Sequence, residues 1–243
     1  MKPNYQASDH KTLREKFARI LVHDLNNPAS IIDSALQFIK LEGEDNLSER
    51  QRKNLAFAQF AVRDLQRMIA NLVDVSKIEE GWADLCKKEI SLEKIVQEAT
   101  NELEDVARLD NKSFAIEKGK DIPLVYADPN LMKRAIMNLI HNSLRYTPLD
   151  TVVRIEIRHN KKENSIYLGI QDQGVPIPAK YLDRVFDKYI QAESNKEVKV
   201  GRALGLTLCK LVVELHGGRI WAESSSSKGN LIAFWIPIST KKK

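Results

Sequence analysis

Two long helical patterns fill the first third of the chain. Apolar residues recur every three or four positions over residues 11–42, in two neighbouring stripes, and recur with heptad-like spacing over 55–75. Residues 43–46 interrupt the pattern, and Ser48 with Gln51 reads as a capping box that begins the second helix. The short connection predicts an antiparallel helical hairpin. Because two apolar stripes on a lone hairpin would leave one of them in water, the pattern also predicts a homodimer with a four-helix bundle.

Beyond Gly81 the pattern changes to short strands mixed with helices. Residues 152–158 and 165–171 alternate apolar and polar positions across a turn, as an antiparallel strand pair does. Asp128 followed by Pro129 is a strong helix start. The predicted strands are 88–91, 114–117, 124–127, 152–158, 165–171, 219–223 and 231–237, and the predicted helices are 92–109, 131–144 and 206–215.

This mixture of elements predicts an α/β sandwich with a mainly antiparallel sheet after the helical hairpin, so the whole chain is expected to be an α+β protein. We divide the chain into a linker over residues 1–10, a dimerising hairpin over 11–80 and a second domain over 81–243.

Composition excludes several classes of protein. The chain has 243 residues, a net charge of +5 and only two cysteines, too few for a disulfide framework or a four-cysteine zinc site. No window has the roughly 18 to 20 consecutive apolar residues that span a bilayer. Acidic residues are interleaved with the basic ones, so the excess charge does not by itself indicate nucleic acid or a membrane as a partner. We expect a cytoplasmic protein.

His23 is the first candidate for chemistry. It lies between the two apolar stripes of the first helix, which predicts an exposed imidazole. Asp24 beside it can hold one ring nitrogen protonated, so that the other keeps a nucleophilic lone pair. Pro28 removes a backbone donor and is expected to bend the helix.

The string from His23 to Pro28 resembles the phospho-accepting box of the dimeric sensor histidine kinases of two-component signalling. The other boxes of that family follow in order and cover roughly residues 11–239. They are the asparagine box over 138–148, the first glycine box over 172–174, the phenylalanine box over 185–189, the second glycine box over 201–206 and the ending over 214–237. The resemblance implies a Bergerat-fold ATP-binding domain after the dimerising hairpin.

Each box can also be given a physical interpretation. Asn138 and Asn142 lie one turn apart on a helix and offer two amide oxygens to Mg²⁺. Arg145 is placed to reach triphosphate oxygens, and Tyr146 offers a ring face for adenine.

The two glycine boxes complete the predicted ATP site. Asp172 closes a strand just before Gly174, where its carboxylate can accept a hydrogen bond from the adenine amino group. Gly201, Gly205 and Leu206 precede or begin a helix whose amide N–H groups suit phosphate.

Asn138 distinguishes this chain from the gyrase-type ATPases, which resemble it but carry a glutamate there. An amide cannot take a proton from water, so the site is expected to hold ATP for an external nucleophile. The resemblance therefore implies ATP-dependent phosphorylation of His23, followed by transfer to an aspartate of a response-regulator receiver domain. Asp24 and Asn27 match the pair that the family uses to dephosphorylate the regulator, and Asn27 would orient the attacking water.

Four positions depart from the family pattern, one of them mildly, where Tyr189 replaces the second phenylalanine of the phenylalanine box. Pro176 replaces the second glycine of the first glycine box, Ala203 replaces the middle glycine of the second, and Gln191 stands where many members have an arginine. Lys196, Lys199 and Arg202 are candidates to replace that arginine. These departures leave open an alternative in which ATP binding is weak and the chain is a phosphotransfer or docking module. A hydrolytic ATPase is a third hypothesis, and Asn138 argues against it.

Overall fold

A computed structural model describes residues 25–41, 43, 46–81, 83–188 and 204–238 of the chain. The chain divides into two compact units, Met1–Lys77 and Ile78–Lys243. The domain bounds predicted from the sequence stay a prediction, because the outermost residues lie outside the described part.

The first unit contains two antiparallel helices. Residues 25–41 form α1, and α2 runs over Glu49–Glu79. The side chain of Gln66 donates to Ser30 Oγ over 3.3 Å, and Arg63 lies 3.8 Å from Asp33, so the contacts run in opposite directions along the two helices. At the start of α2 the Ser48 N–H donates to Gln51 Oε1 over 2.9 Å, and the Gln51 N–H donates to Ser48 Oγ over 3.3 Å, which confirms the capping box.

The described part of this hairpin buries few apolar side chains. Ala29, Ile69 and Val75 are buried. Larger apolar side chains on both helices are exposed, and they are Leu25, Ile31, Ile32, Phe38, Ile39, Leu41, Phe57, Leu65 and Leu72. One apolar face of the hairpin therefore lies open in a single chain.

The second unit contains seven strands and four helices among its described residues. In chain order they are β1 Lys88–Ile90, α3 Leu92–Leu109, β2 Ser113–Lys118, β3 Val125–Ala127, α4 Pro129–Tyr146, β4 Val152–Asn160, β5 Ser165–Asp172, α5 Ala179–Leu182, α6 Leu204–Leu215, β6 Arg219–Ser225 and β7 Gly229–Pro237. All the strands and helices predicted from the sequence for residues 81–243 are present, with bounds that differ by up to two residues.

Five strands form one sheet in the order β2-β4-β5-β7-β6. Every neighbouring pair is antiparallel except β2 and β4, which are parallel. One face of the sheet carries the buried side chains of Ile155, Leu168 and Phe234, and α3, α4 and α6 pack against the sheet. This is the predicted α/β sandwich with a mainly antiparallel sheet.

Two features of the second unit were not predicted. Strands β1 and β3 pair with each other as a separate two-stranded sheet, with Lys88 opposite Ala127. Helix α5 is a single turn after Pro178, and one turn is too short to show a periodic apolar pattern. Among the described residues, no helix is both long enough and apolar enough to cross a membrane.

Candidate functional site

Helix α4 begins at a well-formed cap. Asp128 Oδ1 accepts hydrogen bonds from the N–H groups of Asn130 and Leu131 over 2.9 and 3.0 Å, and Pro129 occupies the first turn. Asp128 Oδ2 accepts from the Cys86 N–H over 2.9 Å. The cap therefore fixes both the start of α4 and the segment that leads into β1.

His216 holds the same cap from the other side. Its Nε2 accepts the Asp128 N–H over 2.9 Å, and its Nδ1 lies 2.7 Å from the Val212 carbonyl oxygen. Because Nε2 accepts, the proton is on Nδ1 and the ring is neutral. Burial lowers the pKa of His216 below its ordinary value, against a smaller opposing effect of the Val212 hydrogen bond.

Helices α4 and α6 run antiparallel, which places the predicted glycine position near the predicted asparagines. His216 at the end of α6 meets Asp128 at the start of α4, and Cys209 Sγ lies 3.3 Å from the Ala135 carbonyl oxygen. Gly205, one turn before Cys209, is buried and lies towards the half of α4 that carries Asn138.

The polar residues of α4 differ in exposure along the helix. Asn138 is buried, with 1% of its surface exposed, whereas Asn142 and Tyr146 are half-buried and Arg145 is exposed. The Arg145 guanidinium lies 5.9 Å from the centroid of the Tyr146 ring. The C-terminal half of α4 thus presents two amides, a cation and an aromatic ring in succession.

Asp172 ends β5 and is buried. Its Oδ1 accepts from the Gly174 N–H over 2.8 Å and from Asn230 Nδ2 over 3.0 Å. Burial raises the pKa of Asp172, and hydrogen bonds from Gly174, Asn230 and Ser143 act in the opposite direction. Since Ser143 belongs to α4, the carboxylate lies beside the helix that carries the two asparagines.

Two glycines allow the backbone to pass close to Asp172. A Cβ at Gly174 would lie 2.8 Å from Asp172 Oδ1 and 2.8 Å from the Tyr146 carbonyl oxygen. Gly229 has φ +75°, and a Cβ there would lie 2.0 Å from the Asp172 carbonyl oxygen. A side chain at either position would push the Asp172 backbone or carboxylate out of place.

The structure therefore brings most of the predicted nucleotide-site residues together. Asp172 and Gly174 lie next to the last turns of α4, and Gly205 and Leu206 lie in the first described turn of α6. Gly201 lies outside the described residues, as do Ala203 and Gln191. So do His23 and Asp24, whereas Asn27 lies on α1 and is exposed.

The sequence interpretation did not single out Asn230, Ser224 or Ser143. A signal for Asn230 exists in the chain, because its neighbours at the same phase of β7 are Ile232 and Phe234, both buried. A polar side chain that points inward from a strand needs buried partners. Those partners here are Asp172 Oδ1 and the Val175 carbonyl oxygen, in the segment over residues 172–177 that we call the Asp172 loop.

The sequence of the chain matches two protein families. Residues 127–240 match the histidine kinase-, DNA gyrase B-, and HSP90-like ATPase family, and residues 13–81 match the His Kinase A phospho-acceptor domain. The chain therefore contains a phospho-acceptor domain and an ATPase domain of the kinds found in histidine kinases. The first match contains every described residue of the candidate nucleotide site, and the second contains His23, Asp24 and Asn27.

Individual relatives of the chain agree with these two matches. The adaptive-response sensory kinase SasA of Gloeothece citriformis is 28% identical over 98% of this chain and 61% of its own length. The chain thus spans about three fifths of that relative.

Solved structures of low sequence identity share the fold. Full-length ShkA in complex with AMPPNP has a TM-score of 0.66 at 16% identity, covering 93% of this chain and 46% of that one. ThkA in complex with the response regulator TrrA has a TM-score of 0.59 at 22% identity, covering 98% and 66%.

Proposed function

We propose that this chain is a histidine kinase core that phosphorylates its own His23 with ATP and passes the phosphoryl group to an aspartate of a response-regulator receiver domain. The observation that carries the proposal is that one chain matches both a phospho-acceptor domain, at residues 13–81, and an ATPase-type domain, at 127–240. The two halves of a self-phosphorylation reaction are therefore covalently joined.

The nucleotide site is proposed to lie between α4 and the Asp172 loop. The buried Asp172 carboxylate accepts hydrogen bonds and suits the amino group of adenine. At the end of α4, Arg145 suits phosphate oxygens and Tyr146 offers its ring face to adenine. Gly205 and Leu206 would contribute the start of α6 to the phosphates. We propose that Gly201 also contributes to phosphate binding.

The residues present also fit Mg²⁺. Among the described residues no group of three or more histidine, cysteine, aspartate or glutamate side chains could hold a metal ion. Mg²⁺ bound with a nucleotide needs only a few protein oxygens plus phosphate and water, and the amides of Asn138 and Asn142 would supply them. When bound, the ion neutralises charge on the phosphoryl oxygens.

Phosphorylation of His23 by ATP can be written with a bond broken, a leaving group and a destination for the proton. An imidazole nitrogen of His23 attacks the γ-phosphorus, the bond from that phosphorus to the bridging oxygen breaks, and ADP leaves. The proton that the imidazole loses passes to Asp24 and then to water. Asn138 offers no base for activating water, which favours transfer to the histidine over hydrolysis.

A homodimer is proposed to form through the hairpin. Ile31, Phe38 and Leu41 are 70%, 61% and 79% exposed in the single chain, and a second copy would cover such a face. The response regulator is proposed as the partner on the resemblance to the family, and ThkA provides an example of such a complex. We further propose that Asp24 and Asn27 support dephosphorylation of the regulator. Reaction with a cytoplasmic receiver domain would place the chain in the cytoplasm.

The proposal is tested by phosphotransfer. The chain is incubated with Mg²⁺ and ATP labelled in the γ-phosphate, and purified receiver domains from the same genome are then added one at a time. We expect label to leave the kinase and appear on a few receivers within the first minutes, and not on a receiver whose acceptor aspartate is replaced by asparagine. Label that never leaves the kinase would contradict the transfer step.

The alternative, a degenerate kinase that binds ATP weakly and acts as a phosphotransfer or docking module, is favoured by Pro176, Ala203 and Gln191, which depart from the family pattern. Titration with a fluorescent ATP analogue separates the two functions. Saturable, Mg²⁺-dependent binding supports the kinase, and absence of saturation at millimolar analogue supports the docking module.

A further inference from the structure

The side-chain amide of Asn230 uses all of its hydrogen-bonding capacity around the Asp172 loop. Nδ2 donates to Asp172 Oδ1 over 3.0 Å and to the Val175 carbonyl oxygen over 3.1 Å. Oδ1 accepts from the Ile177 N–H over 3.1 Å and from the Ser224 hydroxyl over 2.7 Å. Asn230 is buried, with 5% of its surface exposed, so water does not replace these bonds.

The orientation of this amide follows from its partners. Asp172 Oδ1 and the Val175 carbonyl oxygen only accept, whereas the Ile177 N–H only donates. Turning the amide over would place two acceptors against its oxygen and a donor against its NH₂ group. The side chain is thus held in one orientation.

Asn230 also bridges Pro176, one of the positions at which the chain departs from the family pattern. Pro176 has no N–H, and the peptide groups on either side of it, the Val175 carbonyl and the Ile177 N–H, both bond to Asn230. Ser224 Oγ accepts the Ile177 N–H as well, over 2.9 Å. The loop after Asp172 is therefore held by β6 and β7 and does not depend on an amide at residue 176.

We infer that Asn230, supported by Ser224, is a positioning residue that fixes the Asp172 carboxylate for recognition of the adenine amino group. The inference rests on the proposed function. Asn230 does not need to touch the nucleotide, because it acts through Asp172 Oδ1. The β6–β7 hairpin thereby becomes part of base selection.

The test compares two nucleotides in the full chain, ATP and purine riboside triphosphate, which lacks the 6-amino group. Wild type is expected to bind ATP about tenfold more tightly, the worth of a hydrogen bond to a charged group. In Asn230→Ala we expect that preference to fall to within about twofold, while binding of purine riboside triphosphate changes by less than about threefold. Ser224→Ala should reduce the preference partially, because one of the two supports of the Ile177 N–H remains.

Asn160→Ala is the matched control, since this amide bonds within the β4–β5 turn, to Glu163. It should leave the preference unchanged. Equal loss of both nucleotides in Asn230→Ala, with the preference retained, would show a purely structural role and overturn the inference while leaving the proposed function intact. Failure of wild type to bind either nucleotide would overturn both.

Discussion

Asp128 and His216 are joined by a hydrogen bond in which the backbone N–H of Asp128 donates to Nε2 of His216 over 2.9 Å. The contact closes the N-terminus of α4 against the end of α6, and Asp128 in turn holds the Cys86 N–H. The bond requires a neutral ring, since a protonated Nε2 has no lone pair to accept with.

Stability of the second unit should therefore fall in mild acid. Burial puts the pKa of His216 in the folded chain below the ordinary 6.5. His216 therefore binds a proton more weakly in the folded chain than in the unfolded chain. The contribution of neutral His216 is fully present above about pH 6.5 and is lost as the pH falls below that value towards the folded-state pKa. Urea unfolding at a series of pH values measures this dependence.

Burial lowers the pKa of His216 by more than any neighbouring group changes it, and the charges of Lys87 and Asp128 lower and raise that pKa respectively. A His216→Leu variant is the informative comparison. It should be less stable than wild type at neutral pH and should show a smaller fall in unfolding free energy between about pH 7.5 and pH 5.5. A variant that keeps the whole fall would assign the pH dependence to other groups.

Asp172→Asn should separate stability from binding. The pKa of Asp172 is raised by burial, so its ionised form weakens the fold above its ordinary pKa of 3.8, and an uncharged amide of the same shape removes that cost. The asparagine oxygen can still accept from Gly174. We expect an unchanged or higher Tm and at least about tenfold weaker ATP binding. Differential scanning fluorimetry and nucleotide titration measure the two effects, and ATP binding equal to that of wild type would contradict the role given to Asp172.

Gly229→Ala tests the close approach of β7 to Asp172. Gly217 has the same φ of +75°, but a Cβ there would meet only Pro237 Cγ, at 3.6 Å, against 2.0 Å to the Asp172 carbonyl oxygen at Gly229. Gly217→Ala should therefore cost only the backbone strain, about 1–2 kcal/mol. Gly229→Ala should cost more than that in urea unfolding and should also weaken nucleotide binding. If the two variants lost the same free energy of unfolding, the start of β7 would have to move away from Asp172 without cost.

Local features of the fold were predictable because nearby residues determine them. The capping box of Ser48 and Gln51 and the Asp128 cap before Pro129 involve residues within one turn. The alternation over β4 and β5 gave their antiparallel pairing. The parallel pairing of β2 with β4 and the separate sheet of β1 and β3 depend on contacts between distant segments, which periodicity does not report.

The same distinction applies to the candidate site. Asn138, Asn142 and Asp172 were predicted from boxes that are continuous in sequence. Asn230 lies 58 positions beyond Asp172, and its function depends on the strand pairing that places the two residues opposite each other.

Transfer of phosphate to His23 is the central claim, and mapping of the phosphorylated residue tests it most directly. The chain is incubated with Mg²⁺ and γ-labelled ATP, and the labelled peptide is identified by mass spectrometry under alkaline conditions that preserve phosphohistidine. Wild type and a His10→Gln control are expected to carry the label on His23, and His23→Gln is expected to carry none. Equal labelling of His23→Gln and wild type would contradict the account.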